Sequence, residues 1–185
     1  MNLFKMNFFR FFGFKQKPNA PWSKYYSNTD DNLNIPDTSL YKYFKKSALA
    51  NPELYSINYY GTRIKYSSLL EQVDKCALSF YNLGIRYGDV VTICMPNTPE
   101  GIIAFLALNK IGAISNMVHP LASENEIKNT LKETNSVLLI LIDLDYQKIK
   151  NIIKETAVFK VVIVRVSDSM PFFMNLAYQI SQGRK

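Results

Sequence analysis

The sequence predicts an α/β protein with an open, mainly parallel sheet built from successive βαβ units, preceded by a helix and a β-hairpin. Three observations carry this prediction. Residues 90–95 (VVTICM) are a continuous β-branched and apolar run of strand length, which suits a strand covered on both faces and hence a parallel sheet. The stretch that follows (PNTPEGIIAFLALNKIG) reads as turn and helix. Thr98 can cap, Pro99 falls where a missing N–H costs nothing, Glu100 suits the positive end of the helix dipole, and Gly112 sits where a left-handed cap belongs. From residue 90 onward this alternation recurs, with strands expected at 90–95, 113–118, 137–142 and 161–166 and helices at 99–111, 124–133 and 146–155. Each crossover is long enough to return the chain to a parallel neighbour.

Taken in order, the chain divides into a leader and arm (1–36) and one domain (37–185). Residues 1–24 hold Lys5, Arg10, Lys15, Lys17 and Lys24 and no acid, interleaved with Phe4, Phe8, Phe9, Phe11, Phe12 and Phe14. Such a segment either docks its aromatics on the rest of the protein or rests on an anionic bilayer surface as a peripheral contact. Residues 18–36 are polar and aromatic with little periodicity, an extended arm. A helix follows at 39–50, then strands at 55–60 and 62–66 around Gly61. The next helix opens on Ser68 and Glu71 at capping-box spacing, carries an apolar stripe from Leu69 to Phe80, and stops at Gly84. The helix over 99–111 is expected to bury Ile102, Ile103, Phe105, Leu106 and Leu108. Ser123 and Glu126 make a second capping-box pair, and one more apolar-rich helix is expected after Pro171.

With 185 residues, 48% of them apolar, the chain can bury one sizeable core. The formal net charge is +7, but outside the two ends the Lys and Arg residues are scattered, so a nucleic-acid partner is not expected. No run approaches the ~20 apolar residues of a spanning helix, and the leader lacks a secretory pattern, which predicts a cytoplasmic location. Cys76 and Cys94 fall in a helix pattern and a strand pattern and are expected to be core residues rather than a disulfide or metal site.

An open parallel sheet presents ligands to the loops at the carboxyl ends of its strands. In those loops no GxGxxG, GxxxxGK[ST] or GxSxG occurs, and the sole histidine, His119, has no partner for a metal, so no metal site is expected. What does occur is a set of short motifs in order: IKYSSL (64–69), Gly84 with GDVV (88–91), MPNTPE (95–100), LNKIGA (108–113) and HPL (119–121). Together they resemble the amino-terminal part of the adenylate-forming superfamily, the acyl-CoA synthetases and their relatives, from about residue 22 to about residue 166. Ser68, Asn109 and Ile111 depart from the family's usual pattern.

The resemblance implies ATP-dependent activation of a carboxylic acid to its adenylate, with magnesium, and transfer of the acyl group to coenzyme A. It also implies that the phosphate loop, the adenine and ribose motifs and the catalytic lysine come after the matched stretch. Past Gly112 the only glycine is Gly183, so no glycine-rich phosphate loop is present. The expectation is a truncated large domain with no catalytic residue and no strong cofactor binding of its own. The loop His119, Pro120, Leu121 is the one candidate for contact, on the coenzyme A side; otherwise it only closes the sheet before the Ser123 cap. The alternative is a non-catalytic binding or interaction module for an acyl group, a CoA-like ligand, a membrane surface or a complementary downstream fragment.

Overall fold

The computed structural model describes Tyr25, residues 36–165 and residues 167–182. The leader and arm expected over 1–36 therefore lie outside the described residues, apart from Tyr25 and Pro36, and every element below belongs to the unit Thr38–Lys185.

Helix α1 (Leu40–Ala50) starts at Ser39, whose hydroxyl accepts the Lys42 N–H. Strands β1 (Tyr55–Tyr59) and β2 (Thr62–Lys65) form an antiparallel hairpin whose turn residues, Tyr60 and Gly61, both have positive φ (49° and 91°). That pair of values is the two-residue turn that matches strand twist. Helix α2 (Tyr66–Asn82) begins at once after β2, two residues earlier than the expected Ser68 cap. The capping box is a misreading with a physical cause: the Tyr66 and Ser67 N–H groups donate to the Leu54 and Pro52 carbonyls, so backbone from before the hairpin satisfies the helix start. Ser68 accepts instead from Gln72, and Glu71 pairs with Lys75.

The sheet then builds from β3 (Val90–Cys94), β4 (Ile114–Val118), β5 (Leu138–Ile142) and β6 (Lys160–Val164), all parallel, in the order β4-β3-β5-β6. Helix α3 (Pro99–Ile111) joins β3 to β4 and has the expected ends: the Thr98 hydroxyl accepts from Gly101, Pro99 opens the first turn, and Gly112 closes it at φ 77°. Helix α4 (Glu124–Glu133) starts at Ser123, whose hydroxyl accepts the Glu126 N–H. The crossover through α4 does not lead to a neighbour as expected, because β5 lies on the far side of β3. The helix expected over 146–155 is only α5 (Tyr146–Ile149), a turn, and a 3₁₀ turn at Ile153–Glu155. Helix α6 (Phe172–Gln182) ends the described chain.

Chain direction sets the layers. The path β3 to β4 runs one way across the sheet and β5 to β6 the other, so crossovers of one hand must place their helices on opposite faces. One face of the sheet (Val91, Ile93, Leu138, Ile140) packs on α1, α2 and α3, through Leu69, Val73, Phe80 and Leu108 among others. The other (Cys94, Leu139, Leu141) packs on α4 and α5 through Ile127, Leu131 and Ile149. All five residues of β5 are buried, three toward one layer and two toward the other. The expected stripe on α3 is partly wrong. Leu106 and Leu108 are buried, as are Ala104 and Ala107, but Ile103 and Phe105 are half-buried and Ile102 is exposed. A helix apolar on every side must leave one side uncovered wherever neighbours reach it from only some directions.

A polar clasp holds α1, α2 and α3 together. The Tyr41 N–H donates to Asn109 Oδ1 (2.7 Å), the Tyr41 hydroxyl donates to Asp74 (2.7 Å), and Lys110 pairs with the same carboxylate (2.8 Å). Asn109, one of the departures from the family pattern, thus satisfies a backbone donor at the start of α1. Burial alone would raise the Asp74 pKa, but hydrogen bonds from Lys110 and Tyr41 outweigh it and hold the carboxyl below its usual value. A depressed folded pKa stabilises above the unfolded value and is lost as pH falls through the folded one. Lys110 is opposed by burial yet raised by the Asp74 bond, and Tyr41 is raised by burial and by Asp74, so both contributions vanish at the alkaline end. An Asp74→Asn chain is therefore expected to lose less stability than the wild type below pH 4 and again above pH 10 (approximate limits from ordinary pKa values), as urea titrations across pH would record.

Candidate functional site

The rule for open sheets directs attention to the carboxyl edge where neighbouring strands send their loops to opposite faces. Here that point lies between β3, which turns toward α3, and β5, which turns toward α5. Around it lie the segment Met95 to Thr98, the loop His119 to Ser123, and the 3₁₀ turn Asp143–Asp145.

On the α3 side, the loop is stiff and apolar. Pro96 and Pro99 flank Asn97 and Thr98, and an apolar groove of about 390 Å³ opens beside them, walled by Ile93, Met95, Phe105 and Met117. On the α4 side, the three loops meet. The Cys94 thiol points to the His119 carbonyl (Sγ to O 3.7 Å), which also accepts the Ala122 N–H (3.0 Å), and His119 Nδ1 accepts the Leu121 N–H (3.1 Å). His119 and Leu121 are exposed and Pro120 is half-buried, so the predicted loop lies at the sheet's carboxyl edge with its leucine side chain in solvent.

Sequence reasoning missed Asp145 and Lys148. Asp145 is buried at the end of β5, and its carboxylate accepts from Lys148 Nζ at 2.8 Å. The hydrogen bond to Asp145 and its charge hold the Lys148 ammonium above its usual pKa. An acid three residues beyond an apolar strand run was the signal available, but its burial depends on α5, whose length was misread. Burial, followed by the Asp145 charge, pushes the Cys94 thiol up to about 11, with Lys148 opposing, and burial alone does the same for Cys76. Both thiols are expected to resist iodoacetamide near neutral pH in the folded chain and to react fully in denaturant. Fast folded-state labelling of Cys94 by mass spectrometry would contradict this burial.

These residues do not fit a nucleotide triphosphate. Such a group needs converging backbone N–H donors or an aimed cation. Pro96 and Pro99 offer no N–H, the Gly101 N–H is taken by Thr98, and the Glu100 carboxylate stands in the first turn of α3. Lys148, a cation beside the loops described above, is paired with Asp145. Among the described residues no group of three or more His, Cys, Asp or Glu could hold a metal, and no helix is long and apolar enough to cross a membrane.

A family model described as AMP-binding enzyme matches residues 44–184. A long-chain-fatty-acid–CoA ligase of Bacillus subtilis (strain 168) is 26% identical over 166 residues, 89% of this chain and 30% of that protein. Acetyl-coenzyme A synthetase 1 of Saccharomyces cerevisiae is 30% identical over 160 residues, 72% of this chain and 22% of its own length. Among solved structures, a long-chain-fatty-acid-CoA ligase from Archaeoglobus fulgidus matches with TM-score 0.67 at 20% identity, covering 72% of this chain and 28% of that one. The inhibitor-bound N-terminal domain of FACL13 from Mycobacterium tuberculosis matches with TM-score 0.64 at 21% identity, covering 75% and 35%. The chain spans less than a third of the length of these two curated relatives.

Proposed function

The chain belongs to the AMP-binding enzyme family, and from that premise we propose that its residues are the scaffold layer of an ATP-dependent acid–CoA ligase and hold no catalytic group themselves. The full reaction joins a carboxylate to the α-phosphorus of ATP with loss of pyrophosphate. The CoA thiol then displaces AMP to leave the thioester. The observation that carries the scaffold reading is the loop after β3, where two prolines and an acid stand at the position that would otherwise cradle phosphate. The stiff turn and α3 fix the sheet, and chemistry falls to residues outside these 185. His119, Pro120 and Leu121 form the coenzyme A side of the assembled site, where the exposed loop at the carboxyl edge is free to meet a ligand.

Relatives named for acetate, 4-coumarate and long-chain fatty acids share the family, so the carboxylic acid is proposed only as a class. The experiment supplies the part of the Bacillus subtilis ligase outside the matched 166 residues, mixed with this chain or fused to it. Release of AMP with thioester formation from acetate, 4-coumarate or palmitate is expected in the completed form and not from this chain alone. A completed form that folds and releases no AMP with any of the three overturns the ligase reading.

A further inference from the structure

We propose that the outer face of α1 docks on an anionic lipid bilayer, a contact made by the folded domain itself and independent of the ligase reading. The sequence of α1 (LYKYFKKSALA) places three lysines within five residues and holds no acid. Its inner face is settled: Tyr41 and Ala48 are buried, and Phe44 packs half-buried against the core shared with α2 and α3. At about 3.6 residues per turn, the opposite side carries Lys42, Lys46 and Leu49 at its centre, with Lys45 and Tyr43 on its two flanks. All five are exposed, Tyr43 by 53% and Leu49 by 63%.

Charge around this face is unbalanced. The acids of neighbouring elements are already neutralised, Asp74 and Glu71 of α2 by Lys110 and Lys75, and Glu53 by Lys65. Asp37, ahead of the Ser39 cap, is exposed, one acid against three cations. Among the described residues Lys42, Lys45 and Lys46 have no ion-pair partner. Unpaired lysines on a helix are commonly just solvated; what selects a bilayer is that a leucine and a tyrosine share their face. Lysine stems lie along an apolar boundary while their ammonium groups reach lipid phosphates, and Leu49 and Tyr43 enter at headgroup depth. A nucleic acid would meet the same cations but gain nothing from Leu49. A folded acidic protein needs a surface shaped to receive it, whereas a fluid bilayer accepts a single convex helix. Upstream, residues 1–24 hold five more cations, six phenylalanines and no acid, so two successive segments of the sequence carry chemistry that suits one surface.

Flotation of the full chain with vesicles tests this. Phosphatidylcholine vesicles with about 30% phosphatidylserine are expected to carry the chain, and pure phosphatidylcholine vesicles to leave it behind. A Lys42→Glu/Lys46→Glu chain should bind the anionic vesicles at least about tenfold more weakly. Lys45 is left in place because its charge also acts on Asp74. A Tyr43→Gln/Leu49→Gln chain should bind at least about threefold more weakly, having lost the apolar contact. Lys154→Glu/Lys160→Glu makes the same charge change on exposed, unpaired lysines outside α1 and should stay within about twofold of wild type. Every substituted side chain is exposed, so circular dichroism should match the wild type in all three. Failure to float with the anionic vesicles overturns the proposal, as does an equal loss in the Lys154/Lys160 control. Wild-type binding by both α1 variants assigns the contact to residues outside α1 and overturns it too. Loss in the lysine variant with none in the Tyr43/Leu49 variant marks a purely electrostatic surface, of the kind an acidic polymer meets, and overturns docking on a bilayer.

Discussion

An Ile140→Ala chain is expected to lose about 2–5 kcal/mol of stability, a large part of what a domain of this size possesses. Ile140 is 1% exposed in the middle of β5, whose five residues are all buried, and its side chain joins the layer formed with α2 and α3. Truncation removes apolar contacts and leaves a cavity that sheet and helices on two faces cannot collapse to fill. Ile163 on β6 is the matched control: it is 46% exposed, so Ile163→Ala should cost far less, within about 1 kcal/mol. Urea midpoints by circular dichroism separate the two. Equal losses would mean that β5 is not the shared centre of both layers.

Thr92→Val is the second large effect, and its size comes from what is stranded rather than from what is removed. Thr92 and Ser136 are both fully buried, their hydroxyls 2.7 Å apart. Asn116 of β4 donates to the Thr92 hydroxyl at 3.0 Å, and Ser136 is also 2.7 Å from the Thr134 hydroxyl at the end of α4. This small network ties β3, β4 and the turn before β5 on the α4 side of the sheet. Valine keeps the shape and leaves the Asn116 amide without its acceptor and Ser136 with one partner fewer, at an expected cost of about 1–3 kcal/mol. Adding Ser136→Ala should cost less than the sum of the two single changes, because the second removes a group the first has orphaned. Strict additivity in the double-mutant cycle would contradict the network.

What the sequence made legible follows from the range of the forces involved. Thr98, Pro99, Gly112 and Ser123 act on backbone a few residues away, and the structure finds each in the role its type suggests. The β5 run LLILI was legible for a similar reason, since only a strand covered on both faces can be apolar throughout. Ser68 and Glu71 had the right spacing for a cap, but carbonyls of Pro52 and Leu54, across a hairpin, had already met the need. The helix expected over 146–155 failed for want of a core reason to continue: Ile149 and Ile152 are buried, and the polar residues around them are satisfied by short turns.

Tertiary arrangement was the least legible part. Nothing local says that β5 skips over β3, yet that crossing decides which loops meet at the carboxyl edge. It brings Cys94, His119 and Asp145 into one corner, of which only His119 and its two followers were singled out beforehand. The exposure of Ile102, Ile114 and Met117 was equally hidden, because an apolar residue reads as core whether or not its cover is present.

The claim that these residues scaffold a ligase without activating an acid is tested most directly by pyrophosphate exchange. Labelled pyrophosphate, ATP, magnesium and a carboxylate (acetate, 4-coumarate or palmitate) are incubated with the purified, folded chain. The predicted result is no carboxylate-dependent label in ATP. Label that appears with one of these acids, rises in proportion to this chain and persists after contaminating ligases are removed would contradict it.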